Sequence, residues 1–204
     1  MTQLARAYFG HQCFWGESAW AKINGVVNTR VGYAGGKTPN PTYKAIADHT
    51  EIIEVTFEPE TVNYQSLLDY FFAHHNPVMH RKKQYQSAVL YVDDSQKELT
   101  LKTIESAKLG NIETYVELLD KFYQAEDYHQ KYWLRSKTDI FNELHLTDAQ
   151  VADSRLATKL NAYAAGYTDF TELEALTAEH KLQESLVAKI EQFAKAGGDP
   201  RVCH

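Results

Sequence analysis

The stretch "ARAYFGHQCFWGESAW", residues 5–20, sets the reading of this chain. "ARAYFG" alternates and ends on Gly10, as a short strand does. From Phe14 the period changes: Ala19, Trp20 and Ile23 fall at helical spacings, and Gly25 closes the run. A strand, a glycine-flanked turn and a helix therefore place Cys13 at a helix start. Unpaired N–H groups there favour a thiolate. Phe14 and Trp15 can wall a small apolar pocket beside that sulfur, fit for a methyl or thioether end. The alternative is a buried, inert cysteine among core aromatics.

Working outward, "VVNTR" from Val26 reads as a strand, and "AGG" and "PNP" mark a loop. "EIIEVTFEP" from Glu51 is a β-rich strand stopped by Pro59. "NYQSLLDYFFAHH" carries a helical stripe at Leu67, Leu68, Phe71 and Phe72. "SAVLYVD" is a strand, "SQKELTLKTIESAKLGN" an amphipathic helix, and "IETYVELL" a strand. The order strand, helix, strand, strand, helix, strand, helix, strand predicts an α/β (α+β) two-layer sandwich on a mixed sheet. Near Asp139 the character shifts. Two amphipathic runs, 147–166 and 170–198, predict a C-terminal helical hairpin, with Thr147 and Thr168 or Thr171 as N-caps and Gly166 and Gly197 as stops. The expected division is residues 1–145 as a catalytic domain and 146–204 as a helical extension ending in a mobile tail.

At 204 residues and 44% hydrophobic, the chain buries a sizeable core. A net charge of −6 argues against nucleic acid or an anionic membrane as partner, and the basic run "HRKK" at residues 80–83 is too short to reverse that. No apolar run reaches the length of a membrane span, and the N-terminus lacks the apolar core of a signal peptide. The expectation is a cytoplasmic protein. Two cysteines do not make a disulfide scaffold. Neither C-x-x-C nor H-x-x-x-H occurs, so no zinc site is read despite nine histidines. "VGYAGG" lacks the sequel that a phosphate-cradling loop needs.

Other polar groups must serve Cys13. Glu51 opens a strong strand, and a carboxyl held in an apolar pocket stays protonated near neutrality and can donate a proton; the alternative is a solvated edge residue. Tyr43 and Tyr85 sit where a phenol can donate a hydrogen bond. His49, His74, His75, His80 and His129 are candidate bases or ligands.

Taken in order, "CFWG" (13–16), "VGYAGG" (31–36), "PTY" (41–43), "HTEIIEV" (49–55), "HNP" (75–77), "QYQSAVLY" (84–91) and "AEDYHQKY" (125–132) resemble the A-type peptide methionine sulfoxide reductases. The resemblance implies reduction of methionine S-sulfoxide, free or in proteins, with Cys13 as nucleophile and a cysteine sulfenic acid intermediate. It implies Phe14 and Trp15 as the aromatic box for the substrate methyl, Glu51 as the acid, and Tyr43 and Tyr85 as phenols on the sulfoxide oxygen. It implies no bound cofactor, but an external dithiol, thioredoxin in the family.

Three features depart from the family pattern. An aspartate five residues before the motif tyrosine is His80 here, and the arginine after that tyrosine is Gln86. His80 is the candidate to take over the aspartate's place at the substrate. The loop from Tyr43 to Glu51 is short. The Gly-rich tail with resolving cysteines is absent after "AEDYHQ", which leaves Cys203, in "AGGDPRVCH", as candidate resolving residue or incidental thiol. A non-catalytic sulfoxide-binding or redox-sensing protein and a different thiol enzyme are the competing classes.

Overall fold

A computed structural model describes residues 3–108 and 110–198. Strands β1 (Ala5–Gly10), β2 (Val26–Ala34), β3 (Thr50–Phe57), β4 (Ala88–Tyr91), β5 (Tyr115–Leu118) and β6 (Tyr123–Gln124) form one sheet in the order β5-β4-β1-β3-β2-β6. All neighbours are antiparallel except β4 and β5. The sheet is mixed, as expected, with β1 and β3 at its centre. Every residue of β3 is buried, so both of its faces must be covered.

Side-chain alternation does the covering. Phe9, Ile53, Val55, Phe57 and Val89 point to one face. There they meet α1 (Glu17–Ala21) through Trp20, and α2 (Tyr64–Ala73) through Leu67, Leu68 and Phe71. Phe9 lies flat on Trp20 with ring centres 4.6 Å apart. Tyr8, Ile52 and Leu90 point to the other face, against Tyr115, Leu119 and Phe122. Asn63 caps α2, and Asp93 caps α3 (Asp94–Ala107), each accepting from the backbone N–H three residues on.

The C-terminal part is more finely divided than a hairpin. Its helices are α4 (Tyr132–Ser136), α5 (Thr138–Glu143), α6 (Asp148–Ala152), α7 (Arg155–Ala164), α8 (Leu173–His180) and α9 (Glu184–Lys195). Each amphipathic run breaks once. Ser154 accepts from Ala157 N and restarts the first run as α7. Lys181 adopts φ +53° and ends α8 inside the second. Thr147 caps α6 in a full capping box with Gln150. Neither Thr168 nor Thr171 is a cap: Glu172 precedes α8, and Thr171 instead turns onto Asp169. Gly166 and Gly197 follow the last residues of α7 and α9 with positive φ, as expected of stops, and Gly166 packs on Gly198. Gly198 has positive φ too, and a Cβ on Gly166 or Gly198 would run into the other helix end's backbone.

These helices pack around Trp133, Leu134, Leu160, Leu176 and Ile190 and cover the edge of β2. Edge groups that no strand pairs are satisfied by side chains. Val31 N–H donates to Gln130 Oε1 at 3.0 Å, and Val31 O accepts from Gln130 Nε2 at 2.8 Å. Thr29 N–H reaches Thr158 Oγ1 at 3.4 Å, and Thr29 O accepts from Lys131 Nζ. Among the described residues no helix is long and apolar enough to cross a membrane.

Candidate active site

Cys13 follows β1 by three residues. Gly10 is fixed there by packing, since a Cβ would lie 2.8 Å from Gln86 O. Gln12 takes φ +71° and Cys13 an extended conformation, and the chain then enters a 3-10 turn, Phe14–Gly16, before α1. The single helix expected from Phe14 is thus a turn followed by five helical residues. Cys13 thus stands before a short 3-10 turn and a five-residue helix, so little helix dipole acts on it, and the first N–H of the turn, that of Phe14, is given to Glu51.

Glu51 stands on β3 facing the same side as Ile53 and Val55. Its Oε2 accepts from Phe14 N–H at 3.3 Å, and its Oε1 from Gln84 Nε2 at 2.8 Å. The residue is 4% exposed. Burial pushes its carboxyl up to about 7, against the anion-favouring hydrogen bonds from Gln84 and Phe14 and the charge of Lys82. At neutral pH a large share of Glu51 is protonated.

The two phenols converge on the same place. Burial, the Tyr43 hydroxyl and the Glu51 charge, in that order, push Tyr85 up to about 12, so it stays a hydrogen-bond donor. Tyr43 is 41% exposed; the short loop before Glu51 still delivers it. Its N–H donates to Glu126 Oε1 at 2.9 Å, while Tyr33 OH donates to Glu126 Oε2 at 2.6 Å. Burial alone would raise Glu126; those bonds outweigh it and hold the carboxyl below its usual range.

Aromatic rings complete the walls. Phe14 is buried against Tyr33 (5.6 Å between centres) and His129 (5.1 Å). His129 also meets Tyr43 at 4.7 Å. Trp15 stacks on Tyr132 at 5.0 Å, and Trp133 Nε1–H donates to Trp15 O at 3.1 Å.

His80 does not join this group. Its side chain is 83% exposed, and its Nδ1 pairs with Glu113 Oε2 at 2.9 Å. The substrate place expected for it has no support in its surroundings. Cys203 lies outside the described residues. Local reading missed Gln84 and Glu126 as partners of the site, although both stand within the quoted "QYQSAVLY" and "AEDYHQKY".

A family model described as "Peptide methionine sulfoxide reductase" matches residues 5–160. The chain belongs to that family. A peptide methionine sulfoxide reductase of Drosophila melanogaster is 39% identical over 181 residues, 84% of this chain and 72% of that protein. One from Nautilia profundicola is 40% identical over 146 residues, 65% of this chain and 84% of the relative. Among solved structures, methionine sulfoxide reductase A of Corynebacterium diphtheriae has a TM-score of 0.58 at 31% identity. It covers 67% of this chain and 77% of its own. Reduced Mxr1 from Saccharomyces cerevisiae has a TM-score of 0.60 at 27% identity, covering 66% and 87%. The methionine sulfoxide reductase fold thus accounts for about two thirds of the chain. The family match runs past the sheet to residue 160, into α7.

Proposed function

We propose that this oxidoreductase returns the S-epimer of methionine sulfoxide to methionine, in a protein-repair role, with Cys13 as nucleophile and Glu51 as acid. One observation carries the reading: a buried carboxyl, half protonated near pH 7, bonded to the N–H of the residue after Cys13. A sulfoxide sulfur is a poor electrophile until its oxygen is protonated, so a neutral acid and a thiolate are needed together. Phe14 and Trp15 hold the methyl group, and Tyr43 and Tyr85 donate to the oxygen.

Glu51 gives its proton to that oxygen and the Cys13 thiolate attacks sulfur. The sulfur–oxygen bond breaks, the hydroxyl passes to Cys13 as sulfenic acid, and the thioether leaves. Sulfur of the substrate is reduced by two electrons and Cys13 is oxidised by two. A second thiol, Cys203 in our reading, then displaces water to form a disulfide, and an external dithiol protein such as thioredoxin reduces it. The chain itself supplies no further cofactor. A cytoplasmic setting, where dithiol reductants are kept reduced, suits this cycle.

The test separates the two epimers of a blocked methionine sulfoxide and follows thioether formation with dithiothreitol, for wild type and Cys13→Ser. Conversion of the S-epimer alone, lost in the variant, is expected. Binding without conversion by the wild type would replace the reductase reading by a sensing one.

A further inference from the structure

The loop before Tyr85 reads His80-Arg81-Lys82-Lys83, four cation-forming side chains in a chain of net charge −6. His80 is engaged with Glu113, and Lys83 Nζ sits 3.6 Å over the Tyr115 ring. Arg81 and Lys82 are different. Among the described residues neither has a carboxylate partner within ion-pair distance, and Arg81 Nε is buried with no hydrogen bond.

Lys82 is exposed and stands at the mouth of the site. Its Nζ lies 4.8 Å from the centre of the Tyr85 ring, and its charge reaches Glu51. The loop is held in place: Tyr85 N–H donates to Lys82 O at 2.9 Å, Thr50 Oγ1–H to Lys83 O at 2.8 Å, and Gln84 binds Glu51. Glu126, which binds the Tyr43 N–H, keeps its negative charge, spread over hydrogen bonds from Tyr33 and Tyr43. Among the described residues, the exposed cation beside Tyr85 and Glu51 that no carboxylate pairs is Lys82.

We infer that Lys82 forms an anion-reading subsite, and that the preferred substrate is methionine sulfoxide flanked by an aspartate or glutamate side chain in a peptide. This rests on the reductase reading. A carboxylate beside the sulfoxide pairs with Lys82 while the thioether end enters between Phe14 and Trp15. Lys82 is exposed, so that pair is a surface one and its gain is modest.

The test compares kcat/KM for capped tripeptides with the S-sulfoxide between two aspartates, two asparagines or two lysines, and for N-acetylmethionine sulfoxide with its free α-carboxylate. The aspartate peptide is expected to exceed its asparagine isostere by roughly two- to fivefold, as one partly exposed ion pair gives. High salt shrinks the ratio towards one. Lys82→Gln erases it and Lys82→Arg restores it. Equal values for the two isosteres at low salt overturn the proposal. So does a Lys82→Gln variant that slows all peptides alike, the mark of an effect through Glu51. A preference confined to the free α-carboxylate overturns it too. The same ratio is read in the Kd of Cys13→Ser, so the subsite is tested even when no peptide turns over, an outcome that sinks the reductase reading instead.

Discussion

Phe14 N–H donates to Glu51 Oε2 at 3.3 Å, which ties the residue after Cys13 to the only carboxylate raised to about 7 among the described residues. The turn that presents the sulfur and the strand that presents the acid are joined by one bond. Moving either moves both.

Glu51→Gln removes the proton donor and keeps the shape. The kcat for the S-epimer is expected to fall by about 10²- to 10⁴-fold, the usual contribution of a positioned general acid, with a smaller change in KM. Wild-type kcat should also fall as pH rises through about 7, and the variant's residual rate should lack that limb. A variant with near wild-type kcat would remove Glu51 from the chemistry.

The same shift predicts a stability change with pH. Folded Glu51 holds its proton up to about 7, whereas an unfolded glutamate releases it near 4.5. Between those values the unfolded state binds fewer protons, so stability falls as pH rises. Below 4.5 the contribution is fully present, and above 7 it is gone. Glu51→Gln lacks this slope. Urea denaturation at pH 4 and pH 8 should show the difference between the two proteins moving by about 3 kcal/mol in the variant's favour. A difference that stays constant would mean that Glu51 ionises as freely in the fold as out of it.

Cys203→Ser is expected to leave the first turnover intact and to stop the resolution of the sulfenic acid. With a thioredoxin-type reductant the steady-state rate falls, and a dimedone adduct on Cys13 accumulates, seen by mass spectrometry. An unchanged rate with no adduct would assign resolution to the external dithiol alone.

The sheet was legible because its strands announce themselves locally. "EIIEVTF" is β-rich and becomes the fully buried β3, and β1 ends at Gly10 as read. The two-residue β6 was not legible, since its pairing with β2 comes from distant contact and not from propensity. Amphipathic period survives a break, so each C-terminal run reads as one helix. Only the cap at Ser154 and the left-handed Lys181 reveal the interruptions. At the site, Cys13 and Glu51 carried recognisable motifs. Gln84 reaches Glu51 from 33 residues away, and Glu126 reaches Tyr43 from 83. Such partners follow from the fold. His80 stands at the family aspartate's position in the sequence, but position alone does not set its partners, and its exposed ring pairs with Glu113.

Glu17 and Lys131 form a pair almost without solvent contact, at 1% and 0% exposure and 3.0 Å. Glu17 also accepts from Thr29 Oγ1–H at 2.8 Å and Lys131 N–H at 2.8 Å. The pair fastens α1, just after Cys13, to the segment that carries His129. Glu17→Gln or Lys131→Met alone leaves a buried charge unmatched and should cost about 3–5 kcal/mol. The double substitution should cost less than the sum. Additive costs in a double-mutant cycle would deny the pairing.

The C-terminal helices are expected to be indispensable to the sheet. Truncation after His145 removes Thr158, which accepts from the β2 edge, and Asn161, which accepts from Leu134 N–H at 3.0 Å. It also uncovers Trp133, Leu134 and Ile140, which pack on α7 and α9. Several buried apolar side chains lose their cover, each worth about 1.5–3 kcal/mol, which exceeds the margin of an ordinary domain when taken together with the bared edge. The truncated chain should be aggregated or unfolded by circular dichroism and gel filtration, and Trp15 should lose the support of Trp133. A folded, active 145-residue fragment would instead make α6–α9 a separable unit, and the function of those helices would have to be sought away from the reductase site.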